Sequence, residues 1–438
     1  MNGALSKSMH PVDVANRIID SGASEQPNRL TNELSVVVDD VAVVESFSHC
    51  WALRTEEGLV CVDTSNAHTG TAVVEALRGW TDEPFHTLIY THGHLDHVGG
   101  SGAFVADANR NGISRPRVVA HKALPARLER YRQTAGWNMA INRRQFGGVK
   151  AGVGLIGAGE NFVPRDVVEP DMTYDEIAHV SVGGRDLELH HARGETDDHT
   201  WVWDRRDRSV YSGDFVLWVF PNAGNPQKVQ RYPIEWAAAL RKMIAVGAEQ
   251  VYPAHGLPIV GRERVELVLG DIAEALEFLA DSTLALMNEG ATIDDIIHSV
   301  RVPEHLRDQP WLVPQYDEPE FVVRNVYRQF GGWWDGNPAN LKPAPEAAVA
   351  TEVVALVGTV DLLVNRALEL ADEGEVRLAC HLIEMAVAAE PESEGAQQAR
   401  ADIYWLRRAA ERSLMSKGIY TAAARESEEA LLKNGSVE

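Results

Sequence analysis

The sequence has 438 residues, of which 45% are hydrophobic and 24% are charged, a composition typical of a soluble globular protein with two or three domains. Its formal net charge of -23 disfavours nucleic acid and anionic membranes as partners. The 3 cysteines indicate a reducing compartment rather than a disulfide framework, and no stretch is apolar enough to cross a membrane. We therefore expect a cytoplasmic protein.

The first two thirds of the chain combine strand and helix patterns. Apolar runs bounded by turns predict strands at 34–38, 41–44, 59–63, 87–90 and within 179–214. Helical spacing of apolar residues follows at 71–79, 232–248 and 260–300. This mixture predicts an α/β domain in which two sheets are flanked by helices.

From residue 345 onward the apolar residues follow helical periods alone, which predicts a separate all-α domain. We place an N-terminal extension at 1–30, a catalytic domain at 31–260, a helical connector that completes it at 261–344, and the helical domain at 345–438. The helical domain resembles paired helices of the tetratricopeptide type. It is expected either to contact another protein or to form a plain helical cap.

The glycine-rich segment 152–157 matches the pattern G-x-G-x-x-G. A dinucleotide site needs a strand before this pattern and a helix after it. The preceding residues are polar and the following ones are typical of a loop. We therefore interpret the segment as a glycine loop and do not predict nucleotide binding.

The strand at 87–90 leads into a segment in which three imidazoles and a carboxylate occupy six positions: His92, His94, Asp96 and His97. These are usual ligands of Zn²⁺. Because side chains at i and i+2 of a strand share a face, His92 and His94 can reach one point. Asp96 and His97 lie beyond a tight turn and can reach a second point. The spacing predicts the ligands of a two-metal hydrolytic site.

This motif resembles the His-x-His-x-Asp-His signature of the metallo-β-lactamase fold, an αββα sandwich. The resemblance implies further ligands in a fixed order, and three later positions match: Glu195, where most relatives have a third His, Asp214 after an apolar strand, and His255 in a Pro-x-His-Gly turn. The implied ligands of two Zn²⁺ or similar divalent ions are His92, His94 and Glu195 for one ion, Asp96, His97 and His255 for the other, and Asp214 as the bridge. Asp96 and Asp214 are thereby the expected catalytic carboxylates.

A narrower resemblance lies at 327–341, which reads Tyr-Arg-Gln-Phe-Gly-Gly-Trp-Trp-Asp-Gly-Asn-Pro-Ala-Asn-Leu. It is similar to a segment of the class III alkylsulfatases, which carry a Glu at the position of Glu195 and a helical dimerisation domain after the catalytic one. The resemblance implies a homodimer formed through the helical domain. It also implies hydrolysis of an alkyl sulfate ester, an anionic small molecule, to sulfate and an alcohol.

The segment after the bridging carboxylate departs from that family. The family has a His-Asn pair and an Arg-Gly that contact sulfate, whereas this chain keeps Asn222 and lacks the others. The sulfate contact is then expected to pass to Lys228, Arg231, Arg143 or Arg144. Arg231 is preferred because a guanidinium group matches a tetrahedral oxyanion in bidentate fashion. The alternative for each arginine is a solvated surface position.

The charges of the expected ligands leave other reactions open. Two Zn²⁺ ions would be neutralised by the three carboxylates and a hydroxide, so an anionic ester would depend on nearby cations. The alternative substrates are a carboxylic ester, lactone, thioester or phosphodiester. The alternative outside the enzymes is a helical-repeat scaffold with a vestigial catalytic domain.

Overall fold

The computed structural model describes residues 9–147 and 161–434. The predicted glycine loop at 152–157 and the first eight residues of the N-terminal extension lie outside them. The strands are β1 (Leu34–Val38), β2 (Val41–Val44), β3 (Cys50–Thr55), β4 (Gly58–Val62), β5 (Phe85–Ile89), β6 (Arg117–His121), β7 (Met172–Tyr174), β8 (Ile177–Val182), β9 (Arg185–His191), β10 (Thr200–Asp204), β11 (Ser209–Gly213), β12 (Gln250–Pro253) and β13 (Ile259–Val260).

The helices of the first 345 residues surround these strands. They are α1 (Pro11–Ser21), α2 (Gly70–Arg78), α3 (Leu95–Val98), α4 (Ser101–Arg110), α5 (Leu124–Gln133), α6 (Ala135–Gln145), α7 (Pro233–Ala245), α8 (Arg262–Asn288), α9 (Ile293–Ser299), α10 (Glu304–Arg307), α11 (Pro319–Gly331) and α12 (Pro338–Leu341). A 3₁₀ turn occupies Pro310–Leu312. The last helices are α13 (Glu346–Val357), α14 (Val360–Asp372), α15 (Val376–Ala389), α16 (Glu394–Ala410) and α17 (Leu414–Asn434).

The described strands form two sheets. The first has seven strands in the order β1 to β7, antiparallel from β1 to β4 and parallel from β4 to β7. The second has six strands in the order β13-β12-β11-β10-β9-β8, in which only β11 and β12 are parallel. Parallel neighbours place their carboxyl ends at the same edge of a sheet, so the loops that follow them can meet there.

Alternating side chains along the strands divide the domain into layers. Val202 and Tyr211 of the second sheet pack into a core shared with the first sheet, whereas Trp201 and Val210 face helices α7 and α8. A third cluster joins the outer face of the first sheet to α2, α4 and α5. The predicted α/β sandwich, two sheets flanked by helices, is confirmed.

The last helices form a core of their own, so the predicted all-α region is confirmed as well. Leu363, Leu370 and Ile383 are buried in this core. No single described helix is long and apolar enough to span a bilayer; α13 and α14, which meet at 91°, satisfy the length and composition criteria only as a bent pair.

The helical domain also contacts the α/β domain directly. Gly418 of α17 packs so closely against the carbonyl of Gln145 in α6 that an added Cβ would lie 1.7 Å from that oxygen. The Leu414 amide donates to the Gln315 carbonyl at 2.7 Å, and the Ser413 hydroxyl donates to the Tyr316 carbonyl at 2.7 Å. The first contact joins α17 to α6, and the two hydrogen bonds join the beginning of α17 to the segment before α11.

Candidate metal centre

The seven predicted ligands come together where several strands end. His92 and His94 lie in the loop after β5, and Asp96 and His97 belong to the short helix α3 that follows. Glu195 lies in the loop after β9. Asp214 follows β11 and His255 follows β12, so both reach the same edge because these strands are parallel. The fold thus brings residues from distant parts of the sequence to one point.

The first group of ligand atoms contains His92, His94, Glu195 and Asp214, whose donor atoms all lie within 4.8 Å of one another. His92 Nε2 is 2.8 Å from His94 Nδ1, and His94 Nδ1 is 3.6 Å from Glu195 Oε1. Three of the four side chains are buried, and His94 is partly exposed. This is the composition predicted for one of the two metal positions, with Asp214 added.

The second group contains Asp96, His97 and His255, again with donor atoms within 4.8 Å. His255 Nε2 lies 3.4 Å from Asp96 Oδ2, and His97 Nε2 lies 3.6 Å from the same oxygen. The group therefore has two imidazoles and one carboxylate, the composition predicted for the other metal position.

Asp214 lies between the two groups. Its Oδ2 is 3.8 Å from His92 Nε2, whereas its Oδ1 is 3.4 Å from His97 Nε2 and 3.6 Å from His255 Nε2. One carboxylate oxygen thus faces each group, which is the arrangement of a bridging ligand.

Two buried atoms test whether the residues fit a metal ion. His97 Nε2 and Asp214 Oδ1 lack a hydrogen-bond partner among the described residues, although they lie 3.4 Å apart. Buried polar atoms in native proteins are almost always paired, and a cation would satisfy both. Imidazole and carboxylate together are also the preferred ligand types of Zn²⁺ and similar ions. The centre therefore fits divalent metal ions.

The electrostatics of the centre agree with this. Burial raises the pKa of Glu195 to about 8, against the lowering effect of Arg231. Burial lowers the pKa of His97, but the carboxylates of Asp214, Asp96 and Asp63 outweigh it, so that this pKa lies well above its usual value. The site thus brings several carboxylates together in a buried place. A bound cation would neutralise their charge, so that they would not need to take up protons.

Asp63 orients His97 and was missed by the sequence analysis. Its Oδ2 lies 2.7 Å from His97 Nδ1 and accepts from the Thr91 hydroxyl at 2.7 Å, while its Oδ1 accepts from the Thr91 amide at 2.8 Å. Because Nδ1 must then carry the proton, the lone pair of Nε2 is left for a metal. An acidic residue at the end of the apolar run 59–63 was the available signal.

Asp198 and His199 support two other parts of the centre. Asp198 accepts from the Gly93 amide at 2.9 Å and from Arg127 Nε at 2.7 Å, which fixes the loop that carries His92 and His94. His199 Nε2 accepts from the amide of Asp214 at 3.2 Å. Sequence reasoning gave neither residue a role.

Gly213, directly before Asp214, has a positive φ of 54°. An added Cβ there would lie 2.7 Å from His199 Nε2 and 2.8 Å from Thr91 Cβ. The position therefore requires glycine for its backbone conformation and for space. This turn places the Asp214 carboxylate between the two groups of donor atoms.

A cavity of about 500 Å³ opens onto the centre and is lined by His94, Asp96, Glu195, Asp214 and His255. The predicted substrate residues Asn222, Lys228 and Arg231 line it too. Two of them hold Glu195: Asn222 Nδ2 donates to Glu195 Oε1 at 2.5 Å, and Arg231 Nη1 lies 2.5 Å from that oxygen and donates to the Glu195 carbonyl at 2.9 Å.

The other predicted cations divide into two groups. Lys228 Nζ donates to Asn142 Oδ1 at 2.6 Å, and burial together with the charge of Arg231 lowers the pKa of Lys228 to about 8. Arg143 and Arg144 are exposed and do not line the cavity; Arg144 donates to Gln227 Oε1 at 3.2 Å. The structure thus brings Lys228 to the centre and leaves the α6 arginines in solvent.

Comparison with known proteins identifies both parts of the chain. A model of the metallo-beta-lactamase superfamily matches residues 43–255, and a model described as alkyl sulfatase dimerisation matches residues 292–430. The second match begins well before residue 345, where the helical domain was predicted to start. Both resemblances found in the sequence are confirmed.

Several curated relatives are sulfatases by name. A linear primary-alkylsulfatase of Pseudomonas sp. (strain ATCC 19151) is 27% identical over 365 residues, covering 80% of this chain and 68% of that protein. The alkyl/aryl-sulfatase BDS1 of Saccharomyces cerevisiae is 26% identical over 388 residues, covering 84% of this chain and 59% of that protein.

The fold has a solved counterpart in the stereoselective inverting sec-alkylsulfatase Pisa1 from Pseudomonas sp. The two superpose with a TM-score of 0.80 at 23% identity, covering 91% of this chain and 66% of that one. At this identity the likeness shows the shared fold. The chain spans between 59% and 68% of the length of these three proteins.

Proposed function

We propose that this chain, which joins a metallo-β-lactamase domain to an alkylsulfatase dimerisation domain, is a binuclear zinc hydrolase of organic sulfate esters. The observation that carries the proposal is the position of Asp214, which directs one oxygen at each of the two ligand groups. A scaffold with a vestigial site would have no need to keep this arrangement.

In the proposed site, each ligand group would hold one divalent ion, and the Asp214 carboxylate would be shared between the two groups. Such ions, when bound, activate water and polarise ester oxygens near neutral pH. The chain orients the ligands: Asp63 holds His97 in the required tautomer, and Asn222 and Arg231 hold Glu195. The overall reaction converts a sulfate ester and water into an alcohol and hydrogen sulfate.

The choice of sulfate rests on the relatives and on local charge. The relatives named above are sulfatases, and two cations line the cavity beside the ligand groups, the buried Arg231 and the partly buried Lys228. Both can attract an anionic ester that the chain as a whole, at -23, would repel. A neutral carboxylic ester or lactone would not use the charge of Lys228, which donates to the neutral amide of Asn142.

The test combines metal analysis with a substrate screen on one preparation. We expect about two equivalents of zinc or a similar ion per chain and release of sulfate from alkyl sulfates. His97→Ala should lose metal and nearly all turnover, whereas His179→Ala, at an outward-facing position of β8, should lose neither. Preferred hydrolysis of lactones, thioesters or phosphodiesters would overturn the sulfatase proposal, and absence of bound metal would overturn the hydrolase proposal.

We further propose a homodimer formed through the helical domain, in the cytoplasm. Support for the dimer comes from the dimerisation match at 292–430 and from apolar side chains left outside the helical core. Leu356 is 88% exposed, and Leu362 and Leu378 are 52% and 53% exposed. Support for the location comes from Cys50, Cys61 and Cys380, all of them free thiols.

A further inference from the structure

One face of α6 lines the cavity with carboxamides. Asn138, Asn142 and Gln145 are four and three residues apart, which places them in one stripe of the helix. These three residues are, in that order, only 6%, 7% and 1% exposed. Amide side chains are seldom buried so deeply unless something pairs with them.

Each of these amides pairs only part of its polar atoms with protein. Asn138 Nδ2 donates to the preceding turn of its own helix, Asn142 Oδ1 accepts from Lys228, and Gln145 Nε2 donates to the Tyr316 hydroxyl at 2.7 Å. Among the described residues, Asn138 Oδ1 and Asn142 Nδ2 make no hydrogen bond, and both side chains line the cavity. Gln145 Oε1 also lacks a partner, but this atom is fully buried. Exchange of O and N in Gln145 would still leave one amide atom unpaired.

The unpaired atoms of Asn138 and Asn142 offer a ligand one acceptor and one donor. A plain alkyl chain in the cavity would remove water from these atoms and offer no replacement, which disfavours its binding. A ligand hydroxyl can both donate to and accept from such atoms, and a carbonyl can accept from Asn142. The cavity also has apolar lining, including Phe47, Leu217 and Val219, which suits the carbon skeleton of the same ligand.

We propose that the carboxamide face of α6 recognises hydroxyl or carbonyl groups on the organic part of the substrate. The preferred substrate is then the sulfate ester of a compact, polyfunctional alcohol instead of a plain alkyl sulfate. A cavity of about 500 Å³ sets the size of such a molecule. This inference rests on the proposed sulfate-ester hydrolysis and specifies its substrate class.

The activity test compares hexyl sulfate with the monosulfates of the hexanediols, which have the same carbon number. At least one diol monosulfate should exceed hexyl sulfate in kcat/KM by roughly 10-fold or more, because one or two hydrogen bonds distinguish them. In the variant Asn138→Leu with Gln145→Met, this kcat/KM should fall by about 10- to 100-fold while hexyl sulfate keeps its rate. Arg143→Met, on the exposed side of the same helix, is the matched control and should change neither value.

A binding test separates this inference from the proposed reaction. Hexane-1-sulfonate and its hydroxylated analogues carry an unreactive C–S bond, and calorimetry gives their Kd with or without turnover. Tighter binding of a hydroxylated sulfonate, abolished in the double variant, supports the carboxamide face even when no sulfate ester is cleaved. Equal binding of plain and hydroxylated sulfonates would show that the amides pair only with water and would overturn the inference. An equal fall in kcat/KM for hexyl sulfate and for the diol monosulfate in the double variant would also overturn it.

Discussion

Replacement of Asp63 by Asn should weaken metal binding although Asp63 is not a predicted ligand. Asp63 Oδ2 lies 2.7 Å from His97 Nδ1, so the imidazole donates there and presents its Nε2 lone pair to the centre. An Asn amide in this position would itself donate, which favours the opposite tautomer and blocks Nε2. Rotation of the amide only moves the conflict to the Thr91 amide, which donates to Oδ1. The same effect is known for a catalytic histidine: when the aspartate that accepts from its Nδ1 is replaced by asparagine, the imidazole takes the wrong tautomer.

The size of the effect follows from the lost hydrogen bond. A hydrogen bond to a charged group contributes about 1.5–3 kcal/mol, which corresponds to roughly 10- to 150-fold in a dissociation constant. We therefore expect one of the two metals to bind roughly 10- to 100-fold more weakly. Competition with a chromophoric chelator measures the two dissociation constants separately. The φ of 60° at Asp63 is acceptable to Asn, so the backbone should not add to the effect.

The matched control is Asp107→Asn. Asp107 is buried like Asp63 and accepts from Arg78 Nη2 at 2.7 Å, but it lies in α4, away from the ligand groups. This control should lower the melting temperature and leave both metal dissociation constants unchanged. If Asp63→Asn also left both constants unchanged, His97 would not depend on Asp63 and the tautomer argument would be refuted.

Three further predictions concern the same site and the assembly. Glu195→Gln should weaken the binding of one metal in a titration, because a neutral amide is a poorer ligand than a carboxylate, and an unaltered metal affinity would place Glu195 outside the centre. Arg231→Ala should lower kcat/KM for a sulfate ester roughly 10- to 100-fold and Arg231→Lys should recover part of it, whereas equal small losses on a neutral ester would make Arg231 structural. Light scattering at micromolar concentration should give twice 48.2 kDa, and a monomer would exclude the dimer.

Much of the fold is visible in the sequence because its layers follow simple periods. The runs 34–38 and 41–44 became β1 and β2 within a residue, and the helix expected at 71–79 became α2. The strand β3 was not predicted, although it lies between the runs 41–44 and 59–63 that became β2 and most of β4. Local pattern sufficed wherever turns interrupt the apolar runs.

The residues that support the ligands were harder to predict because their proximity is produced by pairing of distant strands. Asp63 reaches His97 only because β4 pairs in parallel with β5, with Val62 opposite Ile89. Asp198 lies 105 residues after the Gly93 amide that it accepts from. A single sequence gives no sign that residues so far apart are in contact. The residues from His92 to His97, in contrast, lie in one short segment and can be recognised as a motif.

The carboxamide face of α6 could not be predicted from the sequence for a different reason. Charge alone favoured Arg143 and Arg144, but the helix turns residues 138, 142 and 145 toward the cavity instead. On another side α6 packs against α17, where Gly418 allows close contact with the Gln145 carbonyl. This contact joins parts of the chain that are far apart in the sequence, and no local pattern contains that information.

The few cations in the cavity affect the binding of an anionic substrate more than the net charge of the chain does. The net charge of -23 acts on an approaching anion mainly beyond the surface, where salt screens it within about 8–10 Å. Inside the cavity, the ligand carboxylates neutralise most of the charge that metal ions would bring. Arg231 is engaged with Glu195, whereas the Lys228 ammonium group donates to the neutral amide of Asn142. An anionic ester could pair directly with this ammonium group.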